Sequence, residues 1–168
     1  LCGGRHCSGP GAAPEHDQPH GKDAGLALRQ LIVGKEVDLL PVEQDQYDRL
    51  VAVVMLGERN VNLDMVARGN AWAFRQYLGD FPDDALYCEW EAKAREQQLG
   101  LWRLPEKQRR APWEWRHREG RAAYTSYEGS TAAACVAAMR GKVARAPASS
   151  GSKSADCLIK GNIGSGDR

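Results

Sequence analysis

The sequence predicts a small α+β domain that carries a basic C-terminal appendage. Three observations lead there: an apolar stripe at helical spacing after Lys22, a β-branched run at Arg49–Leu56, and a charge balance that reverses at Leu101. A chain of 168 residues suits one globular domain. From Glu15 to Gly100 there are 9 Lys/Arg against 16 Asp/Glu; from Leu101 to Arg168 there are 13 against 6. The net charge of +1 therefore conceals an acidic body joined to a basic tail, two regions with different tasks. No stretch approaches the ~20 consecutive apolar residues of a membrane-spanning helix.

Residues 1–19 read as loop, because Gly3, Gly4, Gly9, Pro10, Gly11, Pro14 and Pro19 punctuate them. Ala24, Ala27, Leu28, Leu31 and Ile32 then recur on one helical face, which Gly34 can terminate. Lys35–Leu40 reads as a short strand ending before Pro41, and Arg49–Leu56 as a buried strand. Asn62 can cap a short helix running to Arg68 and stopped by Gly69. Ala71–Tyr77 reads as extended and half-buried. Pro82, Asp83 and Asp84 open a long helix to Leu99, with Leu86, Trp90, Ala94 and Gln97 or Gln98 on its inner face. Leu101 and Trp102 follow as an apolar latch.

Beyond the latch, Thr131–Arg140 is expected as a short helix and Gly141–Ser154 as a linker unable to bury a core. The five cysteines (Cys2, Cys7, Cys88, Cys135, Cys157) are odd in number and too scattered for a disulfide scaffold. Cys135 and Cys157 can pair across the linker in an oxidising compartment. Cys2, His6, Cys7, His16 and His20 crowd into the first twenty residues, but their spacing is not that of a zinc site, so no metal ligand is assigned there. Walker, GxGxxG, GxSxG and HExxH motifs are absent.

Six segments in order then carry a resemblance. They are APE at 13–15, GKDA at 21–24, DQYDRLVA at 45–52, VNLDMVARGNAWA at 61–73, YCEWEAKAREQQLGLW at 87–102 and PWEWR at 112–116. Over residues 13–116 the chain resembles the staphylococcal-nuclease-like (thermonuclease) family. That resemblance implies an OB-type β-barrel with packed helices, and hydrolysis of DNA or RNA phosphodiesters with Ca²⁺. In the family, two aspartates and a backbone carbonyl hold the metal, a glutamate positions water, and two arginines stabilise the charge gathering on the phosphate.

Carried over by position, Glu15 is the expected catalytic glutamate and Arg49 the expected phosphate-gripping arginine, whose planar fork suits two oxygens. Tyr47 and Tyr77 match pocket positions, with ordinary packing an equal alternative, and Asp45 matches a nearby turn position. Arg75 stands where a further pocket tyrosine is expected and can itself reach a phosphate. Ala12 replaces a metal-binding aspartate, Cys7 replaces the first arginine, and the earlier strands are missing. The Ca²⁺ ligands are thus not retained, and impaired activity is expected. A catalytically inactive nucleic-acid- or protein-binding module, or a non-functional fragment, are the alternatives.

The organisation read from the sequence is an irregular segment at 1–12, a partial nuclease-like domain at 13–119, a linker at 120–155 and the opening of a further module at 156–168. The basic run Arg103, Lys107, Arg109, Arg110, Arg116, Arg118 and Arg121, interleaved with Trp113 and Trp115, reads foremost as a strap whose tryptophans pack on the barrel. Gripping a phosphate backbone is its second reading. The chain opens at Leu1 without a leader, so a removed leader or a missing start is expected. The partners implied are DNA or RNA and no membrane, for a monomer that the family resemblance places outside the cell or in the periplasm.

Overall fold

The computed structural model describes residues 11–44, 50–79, 83–116, 131–143 and 159–162. Strand β1 (Gly11–Ala12) precedes helix α1 (Gly21–Ile32), strands β2 (Glu36–Gln44), β3 (Leu50–Leu56) and β4 (Arg59–Asn60), and helix α2 (Val61–Ala67). Strand β5 (Trp72–Ala73), helices α3 (Asp84–Glu96), α4 (Pro112–Arg116) and α5 (Ala132–Val143), and strand β6 (Ile159–Asn162) follow. The architecture is α+β. One sheet has the order β4-β3-β2-β6, and a two-stranded sheet pairs β1 with β5; among the described residues they do not merge into a closed ring.

Helix α1 buries the expected stripe: Ala24, Leu31 and Ile32 are in the core, with Ala27 and Leu28 packed against it. Gly34 adopts a left-handed φ of 74° just past its end. Strand β2 departs from expectation by running through Pro41. The register with β3 shifts between Pro41 and Glu43, and such an irregularity accommodates a residue that has no backbone N–H to donate. The cap of α2 is Asn60 rather than Asn62. The Asn60 side chain accepts from the Leu63 N–H at 3.0 Å and from the Tyr87 hydroxyl at 3.1 Å. Asn62 is used elsewhere, its side-chain oxygen accepting from the Val54 N–H.

Ala71–Tyr77 is extended only at β5 and then tightens into a 3₁₀ turn at Arg75–Tyr77. Helix α3 is rotated from its expected face. Tyr87, Cys88, Glu91 and Ala94 point inward, whereas Trp90 is 40% exposed and lies under the Lys93 ammonium. The long stem of Lys93 covering an indole explains how an aromatic is tolerated outside.

Leu101 and Trp102 are fully buried, as a latch requires. Gly69 and Gly100 make the latch possible. The Leu101 N–H donates to the Gly69 carbonyl at 2.8 Å, and both glycines have left-handed φ values of 69° and 50°. A Cβ on Gly69 would lie 2.2 Å from the Leu99 carbonyl oxygen, so the two chain segments can cross this closely only without side chains.

Two apolar clusters result. One joins α1, α2 and α3 to Cys135 and Met139 of α5. The other is aromatic, built from Trp72, Phe74, Tyr77, Trp102 and Trp113 over Val51 and Val53. The helix expected near Thr131 is therefore anchored to the core. Cys135 is disulfide-bonded to Cys88 of α3, which replaces the pairing with Cys157 that the sequence allowed. Sequence spacing could not reveal this, because the partner lies 47 residues away on a different helix. Strand β6, within the segment expected to open a further module, occupies the edge of β2 opposite Glu36–Leu39.

Candidate active site

Glu15 lies in the turn between β1 and α1, and that turn is held from several directions. The Gln18 N–H donates to the Glu15 carbonyl at 2.9 Å, while the Gln18 side-chain oxygen accepts from the Glu15 N–H at 3.1 Å. Gln18 is 5% exposed, so these bonds are shielded from competing water. Gly21 begins α1 directly against this turn; a Cβ there would fall 1.8 Å from the Glu15 carbonyl oxygen. His20, with a left-handed φ of 68°, closes the turn and contacts the Asn70 side-chain oxygen at 2.8 Å. The backbone under Glu15 is thus fixed by the residues that follow it.

The carboxylate itself meets a group from the far end of the domain. Arg116 Nε–H donates to Glu15 Oε1 at 2.5 Å, with about a fifth of each side chain exposed (21% and 19%). Two further bonds tie the same stretch to the turn. The Gln18 side-chain amide donates to the Arg110 carbonyl at 2.5 Å, and the Trp115 indole donates to Asp17 Oδ1 at 3.2 Å. Trp113 stacks on Phe74 with centroids 4.5 Å apart and planes 8° from parallel, and meets Trp72 edge-on. Trp113 of PWEWR does pack on the body, Trp115 is tied to it through Asp17, and together they bring Arg116 to Glu15.

Tyr77 is 8% exposed and sits edge-on to Phe74 at 5.0 Å, a packing arrangement. Arg75 opens the adjacent 3₁₀ turn, close enough for its charge to act on Glu91. Glu91 is 2% exposed and accepts from the Ala73 N–H at 3.3 Å, and Arg95 lies 3.5 Å away while covering the Trp102 ring. Burial pushes the Glu91 carboxyl up, against the opposing pull of Arg95 and Arg75. Arg49, Tyr47 and Asp45 lie outside the described residues, as do Cys2, His6 and Cys7.

The described residues do not fit a bound Ca²⁺. A hard cation needs six or more oxygens, whereas Ala12 is a buried methyl whose backbone pairs with Trp72. Among the described residues no three His, Cys, Asp or Glu side chains converge. The Glu15 carboxylate is instead matched to a guanidinium.

Glu15 on its held turn, the Arg116 guanidinium against its carboxylate and the neighbouring aromatic cluster make up the candidate site. Residues 9–104 match the family model of staphylococcal nuclease homologues, more than half of the chain, and the chain belongs to that family. It is 40% identical over 113 residues to a micrococcal nuclease of Shigella flexneri, covering 62% of this chain and 63% of that protein. It is 35% identical to an uncharacterized endonuclease of Haemophilus influenzae, covering 64% of this chain and 57% of that protein. A staphylococcal-like nuclease of Arabidopsis thaliana is 34% identical, with 62% of this chain and 30% of that protein covered. The chain thus spans about three-fifths of the bacterial relatives and less than a third of the plant one. No described helix is long and apolar enough to cross a membrane.

Gln18, Gly21 and Arg116 are the site residues that sequence reasoning missed as such. The first two support the backbone of Glu15; Gly21 stood in the GKDA segment without a stated role, and nothing in the sequence marked Gln18. Arg116 was visible within PWEWR, but nothing local to that segment links it to a residue 101 positions earlier.

Proposed function

We propose that this chain binds single-stranded DNA or RNA and hydrolyses its phosphodiester bonds, with Glu15 as the water-positioning base. The observation that carries this reading is the rigid Glu15 turn with a guanidinium held against its carboxylate. Glu15 would accept a hydrogen bond from the attacking water and take its proton as the new P–O bond forms and the ester P–O bond breaks. The leaving oxygen is protonated from solvent. Family membership supports the same reaction class. The OB-type barrel and the Ca²⁺ requirement belong to this proposal through the family resemblance alone; because the described residues do not fit the cation, its ligands would have to come from outside them.

A second reading, binding without cleavage, is favoured by Ala12 standing where a carboxylate ligand is expected. Cleavage of a labelled single-stranded DNA in Ca²⁺ and in chelator separates the two. The nuclease reading expects Ca²⁺-dependent cleavage that falls by about 10²–10⁴ in Glu15→Gln. Binding with no cleavage by folded protein leaves the second reading standing.

A further inference from the structure

We propose that Arg116 is a phosphate-contacting residue of this site, delivered by the C-terminal strap to an otherwise acidic body. The proposal rests on the nucleic-acid reading of the Glu15 site and names the residue that meets the polyanion there.

Charge is the first argument. The body from Glu15 to Gly100 carries 9 Lys/Arg against 16 Asp/Glu, a balance that opposes a polyanion. The chain from Leu101 onward carries 13 against 6. The later half is therefore the richer source of positive charge for a phosphate, beside the expected Arg49 of the body. Arg116 is where that half reaches Glu15.

Placement is the second. The strap is fixed by bonds on either side of Trp113 (Gln18 to the Arg110 carbonyl, Trp115 to Asp17) and by the Trp113–Phe74 stack between them. An arginine on a freely moving surface segment would lose much of its binding energy in ordering. Here that ordering is already accomplished by interactions that do not involve the guanidinium.

Donor arithmetic is the third. A guanidinium has five N–H donors, and the pair with Glu15 uses the one on Nε. Among the described residues its terminal nitrogens make no hydrogen bond, and 21% of the side chain is exposed. A phosphate oxygen can therefore be taken by the terminal fork while Nε continues to orient Glu15, placing the phosphorus next to the water that Glu15 holds.

The test is binding of a fluorescein-labelled dT₂₀ oligonucleotide, in chelator, across a salt series. The full chain is compared with Arg116→Ala, Arg116→Lys and Glu15→Gln, each checked for folding by circular dichroism. Arg116→Ala is expected to weaken binding about tenfold, the scale of one charged hydrogen bond. Its log–log salt slope should fall by about 0.7, the value for one fewer phosphate neutralised on a single strand. Arg116→Lys should keep the slope and recover part of the affinity, which a purely structural role for the fork would not give. Unchanged affinity and slope in Arg116→Ala overturns the proposal. So does tighter binding, which would make the Glu15–Arg116 pair an obstruction. If the unaltered chain binds but does not cleave the same oligonucleotide when Ca²⁺ is supplied, the nuclease reading fails and the proposal survives; if it binds neither in chelator nor in Ca²⁺, both fail.

Discussion

The strap from Arg109 to Arg116 and helix α5 both come from the basic half of the chain, yet they are fixed to the body by different physics. The strap is held by ring stacking and by side-chain bonds into the Glu15 turn. Helix α5 is held by one covalent bond, Cys88–Cys135, and by Met139, whose sulfur lies 3.4 Å from Cys88 Sγ. It packs on α3 and on the 3₁₀ turn at Arg75–Tyr77. Polar interactions specify geometry, whereas a crosslink specifies only proximity. The strap should therefore matter for chemistry and α5 for stability.

The sharpest way to break that comparison is Trp113→Ala. Trp113 is 4% exposed and touches both Phe74 and Trp72. Its removal should cost about 3–5 kcal/mol by urea denaturation. It should also weaken dT₂₀ binding, measured where the variant is still folded, because Arg116 is then unsupported. A variant that is destabilised but binds normally would reduce the strap to packing.

Next in size is the double change Cys88→Ser with Cys135→Ser. Closing a loop across 47 residues restricts the unfolded chain, and removing that crosslink should cost about 2–4 kcal/mol. Oligonucleotide binding should stay within about twofold of the unaltered chain, since the disulfide neutralises no phosphate. A large drop in binding by the folded double variant would show that α5 is coupled to the site after all. The two variants together thus form a contrast: similar stability costs, opposite effects on the ligand.

What could be read in the sequence divides along the same line. Local signals worked where a period or a turn residue dictates backbone: the α1 stripe, the β3 run, the Gly69 stop and the Leu101–Trp102 latch. They failed where a tertiary partner decides. Asn60 caps α2 while also accepting from Tyr87, and Pro41 stays in β2 where the strand shifts register beside it. The inner face of α3 is misjudged because an exposed Trp90 under Lys93 looks like core in a helical wheel. At the candidate site, Glu15 was singled out by its flanking motif, while the residues that hold its turn were not. Gln18 and Gly21 act through backbone geometry, and Arg116 arrives across a separation of 101 residues.

The smallest expected effect concerns Glu91, which ties the aromatic wall to α3 through the Ala73 N–H. Burial raises its carboxyl above the ordinary value of 4.5, while Arg95 and Arg75 pull it down without overcoming that shift. The folded state therefore holds this proton more tightly than the unfolded chain does. Its contribution to stability is fully present below the ordinary value and is lost as pH rises through the raised one. Glu91→Gln keeps an oxygen for the Ala73 N–H and removes the titration. The stability difference between variant and unaltered chain, measured by urea denaturation, should shift in the variant's favour as pH rises from about 4 to 7. Because every other carboxylate titrates alike in both proteins, the difference isolates this one group. A gap that stays constant, or moves the other way, would mean that the two arginines hold Glu91 ionised. Arg95 would then be anchored by charge rather than by the Trp72 and Trp102 rings it covers.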